Sequence, residues 1–122
     1  MSNPVGWFEI YVQDMARARA FYEAVFQRQL DRLDSPGIEM WAFTGDMTAT
    51  GTSGSLVHAP GMPSGGNSTV VYFSCADCAD EAARVAQAGG SLVREKFSIG
   101  QYGFVALAND PDGNMIGLHS LR

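Results

Sequence analysis

Two cysteines separated by two residues are the first group in this sequence whose type and spacing suggest a chemical function. Cys75 and Cys78 have the C-x-x-C spacing of thiol redox motifs, and a helix beginning at Cys78 would lower the pKa of its thiol. However, Cys75 continues the apolar alternation of Val71 and Phe73, which places it in the core. Three acidic residues between positions 77 and 81 also oppose a thiolate. We therefore interpret the pair as structural.

Glu9 is the second candidate, because it lies among aromatic residues on the mixed face of a predicted strand. A carboxylate desolvated beside Trp7, Tyr11 and Tyr72 would have the raised pKa that a general base needs. The same group would equally anchor the cation or hydroxyl of a ligand. No nucleophile elbow, phosphate-binding loop or dinucleotide fingerprint occurs in the sequence. The sequence leaves both roles of Glu9 open.

Aromatic residues with a few polar groups predict a small-molecule pocket. Three aromatics share the mixed strand faces, and three more lie on strands that we expect to wall the same cavity. The predicted ligand-binding residues are Trp7, Glu9, Tyr11, Trp41, Tyr72, Ser74, Tyr102, Phe104 and His119. Apolar bulk with a few placed polar groups is what such a pocket needs. Large aromatics also commonly pack in cores and dimer interfaces, and that alternative stays open.

The first half of the chain must position Glu9 and its neighbours. Residues 5–14 alternate with a period of two, so we predict a strand with one apolar face and one mixed face. Asp14 then caps an amphipathic helix over residues 15–26. Short strands follow at 39–44 and 54–58, separated by a loop rich in glycine and threonine.

The second half repeats this plan after a predicted linker at residues 59–68, which holds three glycines and two prolines. A strand at 69–75 precedes a helix at 78–88, which Asp77 caps and Gly89-Gly90 ends. Three strands complete the half, and residues 109–114 form a turn between the last two. These strands are predicted at 91–95, 102–109 and 115–121.

The two halves are related by an offset of 63 residues, which places Asp14 on Asp77 and Glu9 on Tyr72. At about 60 residues, neither half would bury enough surface to be stable alone. We therefore expect them to pair in one domain spanning residues 1–122. The apolar strand faces should lie under the helices, and the mixed faces should line a concave surface.

Composition excludes several classes of function. Of the 122 residues, 46% are hydrophobic and 17% charged, so the chain supports a packed core. The net charge is −5 with no basic cluster, which argues against nucleic-acid binding. No apolar run reaches the roughly 20 residues of a membrane span. The first four residues lack the features of a signal peptide. We expect a soluble, cytoplasmic domain with no membrane partner.

The sequence resembles the vicinal oxygen chelate superfamily, which includes glyoxalase I, bleomycin-resistance proteins and extradiol dioxygenases. The resemblance covers about residues 5–121. It depends on Asp14 before the Phe21-Tyr22 helix, on the Gly-Gly after the second helix, and on Asp-Pro-Asp-Gly-Asn at 110–114. It implies an α+β fold of two paired βαβββ modules, a curled mixed sheet with a concave cavity, often completed in a homodimer. One departure is Gln27, where relatives usually carry glycine, so the helix exit is expected to differ here.

The resemblance also implies positions for a divalent metal, and here they hold unsuitable residues. The corresponding positions are Trp7, Gly54 or Ser55, Val70 and Gly117. None of these offers the side-chain donors that a divalent ion needs, so no cofactor is predicted. A shifted site remains as an alternative, because parity allows Glu9, His58 and His119 to form a set of two histidines and one carboxylate.

The predicted function is metal-independent binding of a small aromatic or amphiphilic metabolite, by sequestration or recognition, in a homodimer. The net negative charge suits a cationic or neutral ligand. The alternative is an enzyme related to lyases, isomerases or dioxygenases, with Glu9 as base and with or without a metal at the shifted site. A third reading is a structural module whose own aromatics fill the cavity. The sequence does not identify the ligand, nor whether the modules pair within one chain.

Overall fold

The computed structural model describes residues 3–46 and 48–122. Residues 1 and 2, from the start of the chain, and residue 47, from the predicted glycine- and threonine-rich loop, lie outside the described residues. The elements in chain order are β1 (Phe8–Tyr11), α1 (Met15–Phe26), β2 (Leu30–Leu33), β3 (Glu39–Phe43), β4 (Gly54–His58), β5 (Val71–Ser74), α2 (Cys78–Arg84), β6 (Ser91–Ser98), a 3₁₀ turn (Gly100–Tyr102), β7 (Phe104–Asn109) and β8 (Met115–Ser120).

Two four-stranded sheets have the same topology, with strand orders β1-β4-β3-β2 and β5-β8-β7-β6. In each sheet the first strand runs parallel to the last, and the other pairs are antiparallel. The predicted α+β fold of two βαβββ modules is therefore confirmed. Each module forms a sheet of its own, and the described β1 and β5 each pair with one strand only.

One hydrophobic core joins the modules. Ile10, Phe21 and Leu56 from the first half lie in the same cluster as Ile116 and Leu118 from the second. Each such side chain contributes about 1.5–3 kcal/mol when fully buried. The apolar faces of β1 and β5 thus lie under the helices, as predicted, and the modules pair within one chain.

Aromatic contacts fasten this pairing at the seam between β1 and β5. The ring of Phe73 stacks on Phe26 with centroids 4.4 Å apart and meets the edge of Phe8 at 5.9 Å. Tyr22 from α1 also lies 6.1 Å from Phe73. Aromatic pairs at these separations add about 0.5–1.5 kcal/mol beyond their buried area. The apolar sides of β1 and β5 are therefore held close together.

Helix α1 begins and ends where the sequence predicts. The Asp14 side chain accepts a hydrogen bond from the backbone N–H of Arg17 at 3.1 Å, which is an N-cap. Gln27 follows the helix in a left-handed conformation, with φ of 51° and ψ of 51°. The expectation that the helix exit differs because glycine is replaced is therefore wrong. The usual geometry is kept, and a residue with a Cβ adopts it under strain.

Substitution of Gln27 by glycine is expected to raise the free energy of unfolding by about 1 kcal/mol, because glycine adopts positive φ without steric strain. Urea unfolding measures this change. Gln29→Gly is the matched control, since Gln29 has no positive φ and glycine there only adds freedom to the unfolded chain. Equal loss of stability in both variants would contradict the strain at Gln27.

Helix α2 ends four residues earlier than predicted, at Arg84 instead of 88. Gly89 has a φ of 101°, and a Cβ on Gly90 would lie 2.4 Å from the carbonyl oxygen of Asn109. Beyond Arg84 the chain continues as turns, with Val85 still in a helical conformation and the Ala88 N–H donating to the Arg84 carbonyl oxygen at 3.1 Å. Asp77 caps the helix as predicted, accepting from the Ala79 N–H at 3.0 Å.

Several strand predictions need correction. Strand β2 was not predicted, because only Leu30 of its four residues is buried and no alternation is visible. Strand β6 runs three residues beyond 95, to Ser98. Tyr102 lies on the 3₁₀ turn before β7 and not on a strand.

Within the described residues, no helix is both long and apolar enough to cross a membrane.

Candidate functional site

A groove of about 610 Å³ is lined by residues of β1 and β5 and of the segments next to them. We call it the β1–β5 groove. Its lining residues are Val5, Trp7, Phe8, Glu9, Ile10, Tyr11, Thr52, Pro63, Ser64, Gly65, Asn67, Thr69, Val70, Val71, Tyr72, Asn114, Met115 and Ile116. Four of the nine predicted ligand-binding residues are among them. This volume is in the range of small-molecule sites.

Glu9 is held in a fixed orientation by its neighbours on β1. The indole N–H of Trp7 donates to Oε2 at 3.3 Å, and the hydroxyl of Tyr11 donates to Oε1 at 3.0 Å. Residues two apart on a strand point to the same side, which brings the three side chains together. The hydrogen bond to Glu9 raises the pKa of Tyr11. Each carboxylate oxygen keeps lone pairs for a further donor.

Tyr72 forms the opposite wall, at the position related to Glu9 by the offset of 63 residues. Its side chain is 53% exposed and lies over Gly117 on the neighbouring strand. A Cβ on Gly117 would lie 2.2 Å from the Tyr72 ring. The absence of a side chain at 117 therefore allows the ring to lie over β8.

The segment predicted as a linker closes one end of the groove. The Gln13 amide donates to the carbonyl oxygen of Met62 at 2.9 Å and to the Ser64 hydroxyl at 2.8 Å. Asn67 pairs with the backbone of Met115 through two hydrogen bonds of 3.0 Å. Residues 59–68 are thus pinned by side chains and form part of the site. The asparagine and serine within this segment were the only sequence signal for such contacts.

Asn114 also lines the groove and connects three parts of the chain. Its Nδ2 donates to the Tyr11 carbonyl oxygen at 3.0 Å and to Asp110 Oδ2 at 2.9 Å. Its Oδ1 accepts from the Gly65 N–H at 2.6 Å. From the sequence, the motif at 110–114 was interpreted as a turn and as part of the family resemblance, with no contact to the groove. In the structure it also fixes the end of β1 against the segment that closes the groove.

Trp41 and Phe104 do not wall this groove, and the expectation that they do is wrong. Trp41 is the strand partner of Leu56, whose side chain is buried in the core. The guanidinium of Arg19 lies 3.5 Å from the centroid of the Trp41 ring. Phe104 packs against the core, with the Lys96 ammonium 4.7 Å from its ring centroid. Both side chains point to the helix side of their sheets.

Ser74, Tyr102 and His119 form a separate group farther along the second sheet. Ser74 and His119 are register partners, and His119 Nε2 lies 2.7 Å from the Tyr102 carbonyl oxygen. The Tyr102 side chain is 65% exposed. None of the three lines the β1–β5 groove, so the structure does not bring Glu9 and His119 into this cavity together.

The residues at the metal positions implied by the resemblance do not fit a divalent ion. Glu9 pairs with Ser55 as Tyr72 pairs with Gly117, so Ser55 and not Gly54 is the counterpart of Gly117. The four positions then offer an indole, a hydroxyl, an isopropyl group and no side chain, and the Tyr72 ring covers the last of them. A neutral hydroxyl is the one possible donor, which is too few for such an ion.

The shifted set of Glu9, His58 and His119 is not assembled either. His58 is the register partner of Glu39, on the face that carries Trp41 and points toward α1. Glu9 lies on the opposite face of the same sheet. In the described part of the chain, no three histidine, cysteine or acidic side chains lie close enough to hold a metal ion. We derive no chemical step through a metal.

The cysteine pair has the environment of a structural pair. Both thiols are free, and Cys78 is fully buried at the start of α2. Burial, followed by the charge of Glu81, raises the pKa of the Cys75 thiol to about 12. Both effects oppose the thiolate that redox chemistry needs.

We expect the folded chain to resist alkylation by iodoacetamide. With a pKa of about 12, only about one Cys75 thiol in ten thousand is ionised at about pH 8. Mass spectrometry should find the folded chain unmodified and the urea-unfolded chain modified at both cysteines. Rapid modification of the folded chain would contradict the structural interpretation.

Comparison with known proteins identifies a sequence family and several solved structures with a similar fold. Residues 5–118 match the sequence model of the Glyoxalase/Bleomycin resistance protein/Dioxygenase superfamily. A search of curated protein sequences finds no significant match. Solved structures do match.

A glyoxylase/bleomycin resistance protein/dioxygenase domain from Frankia sp. EAN1pec superposes with a TM-score of 0.74 at 15% identity, covering 100% of each chain. A glyoxalase/bleomycin resistance protein from Albidiferax ferrireducens T118 gives 0.71 at 20% identity, covering 95% of this chain and 98% of that one. A glyoxalase I mutant from Zea mays gives 0.73 at 25% identity, covering 97% and 47%. This chain thus spans about half of the maize enzyme.

Proposed function

Because this chain belongs to the Glyoxalase/Bleomycin resistance protein/Dioxygenase superfamily, we propose that it binds a small aromatic or amphiphilic molecule in the β1–β5 groove without a metal ion. The observation that carries this proposal is the groove itself, in which aromatic faces from both modules surround one oriented carboxylate. Apolar walls with few, fixed polar groups are typical of sites that recognise small molecules.

The groove walls support binding by stacking and apolar burial. Trp7 is 44% exposed and Tyr72 53% exposed, and both lie at the groove surface. Large aromatic side chains bury much area on contact with a ligand and lose little conformational entropy. Val5, Val70 and Met115 extend the apolar wall around them. In this proposal Glu9 sets the orientation of the ligand.

The absence of suitable metal donors at the implied positions supports a metal-independent function. The positions Trp7, Ser55, Val70 and Gly117 together offer one neutral hydroxyl, and the Ser55 side chain is completely buried. Chelation by EDTA should therefore leave ligand binding unchanged. Loss of binding on chelation, restored by a divalent ion, would contradict the metal-independent proposal.

Thermal unfolding in the presence of a metabolite library tests the proposal, because a ligand of the folded state raises Tm. We expect at least one compound to stabilise the wild type but not Tyr72→Ala. Tyr102→Ala is the matched control, since Tyr102 is also largely exposed, at 65% against 53% for Tyr72, but lies outside the groove. Failure of all compounds, or an unchanged shift in Tyr72→Ala, would overturn binding at this groove.

The same compounds distinguish binding from catalysis. Mass spectrometry of each stabilising compound after incubation with the protein should recover it unchanged. Conversion to a product that Glu9→Gln abolishes would replace the binding function with an enzyme that uses Glu9 as its base.

A further inference from the structure

We propose that the ligand of the β1–β5 groove is an organic cation, with an amine or quaternary ammonium group on an apolar or aromatic body. This inference depends on the proposed function and specifies the class of ligand. It rests on the charge of the groove, on its exposed aromatic faces and on the pairing of several basic residues elsewhere.

Among the described residues that line the groove, Glu9 is the only one with an acidic or basic side chain. Its two hydrogen-bond donors, Trp7 and Tyr11, are neutral groups that orient the carboxylate without cancelling its charge. The groove therefore carries a net negative charge on an otherwise apolar surface. An ammonium placed there would form a charge-assisted hydrogen bond, which is roughly twice as strong as a neutral one.

Four of the eight lysine and arginine residues have partners away from the groove. Arg17 pairs with Asp112, Arg84 with Glu81, and Lys96 with Asp77 at 2.8 Å. Arg19 lies over the ring of Trp41 on the helix side. The protein as a whole has a net charge of −5, so its field also favours the approach of a cation.

The exposed aromatic faces complete a site for a cation. Trp7 stands next to Glu9 on one wall, and Tyr72 occupies the related position on the other. A cation within about 6 Å of a tryptophan or tyrosine ring is attracted by the negative face of the ring. An anionic ligand would meet the uncompensated carboxylate of Glu9 and be repelled.

Matched ligands test this inference. N-methylquinolinium is a cation, whereas quinoline has nearly the same shape and is uncharged above the pKa of its ring nitrogen. Equilibrium dialysis should give binding about tenfold or more tighter for N-methylquinolinium, as one ionic contact with Glu9 and one cation–π contact would supply. Quinoline-2-carboxylate, an anion of similar shape, should bind most weakly.

Glu9→Gln should remove the ionic part of this preference and leave only the cation–π part, because glutamine keeps the shape and the acceptor oxygen but removes the charge. Glu39→Gln is the matched control, since Glu39 accepts the indole N–H of Trp41 at 3.0 Å on the opposite face. The control should keep the full preference. Should Glu9→Gln fail to fold, added salt provides a second measurement, and it should narrow the wild-type preference.

The outcomes separate this inference from the proposed function. Equal binding of quinoline and N-methylquinolinium, with both lost in Tyr72→Ala, would overturn the cation inference and leave the binding function in place. Tighter binding of the carboxylate would overturn the inference as well. If none of the three compounds binds, the cation inference fails, and the library experiment then decides the function independently.

Discussion

Replacement of Asp110 by alanine is expected to lower the free energy of unfolding by about 4 kcal/mol, because several buried donors would lose their acceptor. Asp110 is 3% exposed and accepts four hydrogen bonds. The Tyr22 hydroxyl and Asn114 Nδ2 donate to Oδ2 at 2.8 and 2.9 Å. The backbone N–H groups of Asp112 and Asn114 donate to Oδ1 at 2.9 Å.

The size of this effect follows from where Tyr22 lies. Its ring is completely buried, and burial raises the pKa of its hydroxyl well above the ordinary value, so the group remains a proton donor. Among the described residues, Asp110 is the only acceptor to which the Tyr22 hydroxyl donates. In the alanine variant the hydroxyl would therefore be buried without a partner. A buried donor without a partner costs about 1–3 kcal/mol. Asn114 would also lose one of the bonds that fix its side chain at the groove.

Asp46→Ala is the matched control for urea unfolding. Asp46 likewise accepts from a residue two positions on, the N–H and hydroxyl of Thr48 at 2.8 and 2.6 Å, but it is exposed. Because water can replace the lost acceptor, the control should lose less than about 1 kcal/mol. Similar losses in the two variants would show that the Asp110 network does not hold the fold.

The second large effect is expected at Gly54, where alanine should destabilise the protein by about 3 kcal/mol through overpacking and backbone displacement. An added Cβ would lie 2.4 Å from both the carbonyl oxygen and the ring of Phe8. The carbonyl belongs to the backbone of β1, so the clash requires the strand itself to move. Since β1 carries Trp7 and Glu9 at the groove, ligand binding should weaken together with stability.

Gly45→Ala provides the control, because nothing lies within 4 Å of its added Cβ and its φ is not positive. Calorimetric unfolding should give a Tm close to that of the wild type for this variant and a clearly lower Tm for Gly54→Ala. An unchanged Tm in Gly54→Ala would mean that β1 and β4 tolerate a wider separation than the structure shows.

The fold could be predicted where the signal comes from residues that are close together in the sequence. The alternation of Phe8 and Ile10 assigned the buried face of β1, and Asp14 and Asp77 marked the starts of both helices. In β3, by contrast, four consecutive apolar residues at 40–43 show no alternation. The face of Trp41 was therefore fixed only by its pairing with Leu56, and the sequence prediction chose the wrong side.

The site divides in the same way. Trp7, Glu9 and Tyr11 belong to one strand, so their common face followed from the period of two, and the repeat placed Tyr72 opposite them. The wall at residues 63–67 depends on side chains about 50 residues away in the sequence, from Gln13 and Asn114. Composition alone suggested a flexible linker there, because Gly and Pro report backbone freedom and not the partners that remove it.

The sequence by itself determined that two modules repeat, where both helices begin, and which faces β1 and β5 bury, because periodicity and caps are properties of neighbouring residues. The tertiary structure alone decided which aromatics share the groove, that His58 and His119 lie apart from Glu9, and that Asp110 and Asn114 support the site. These depend on strand register and on contacts between distant segments, which the packing of the whole chain fixes. The sequence left the role of Glu9 open. In the structure its carboxylate is oriented by hydrogen bonds from Trp7 and Tyr11.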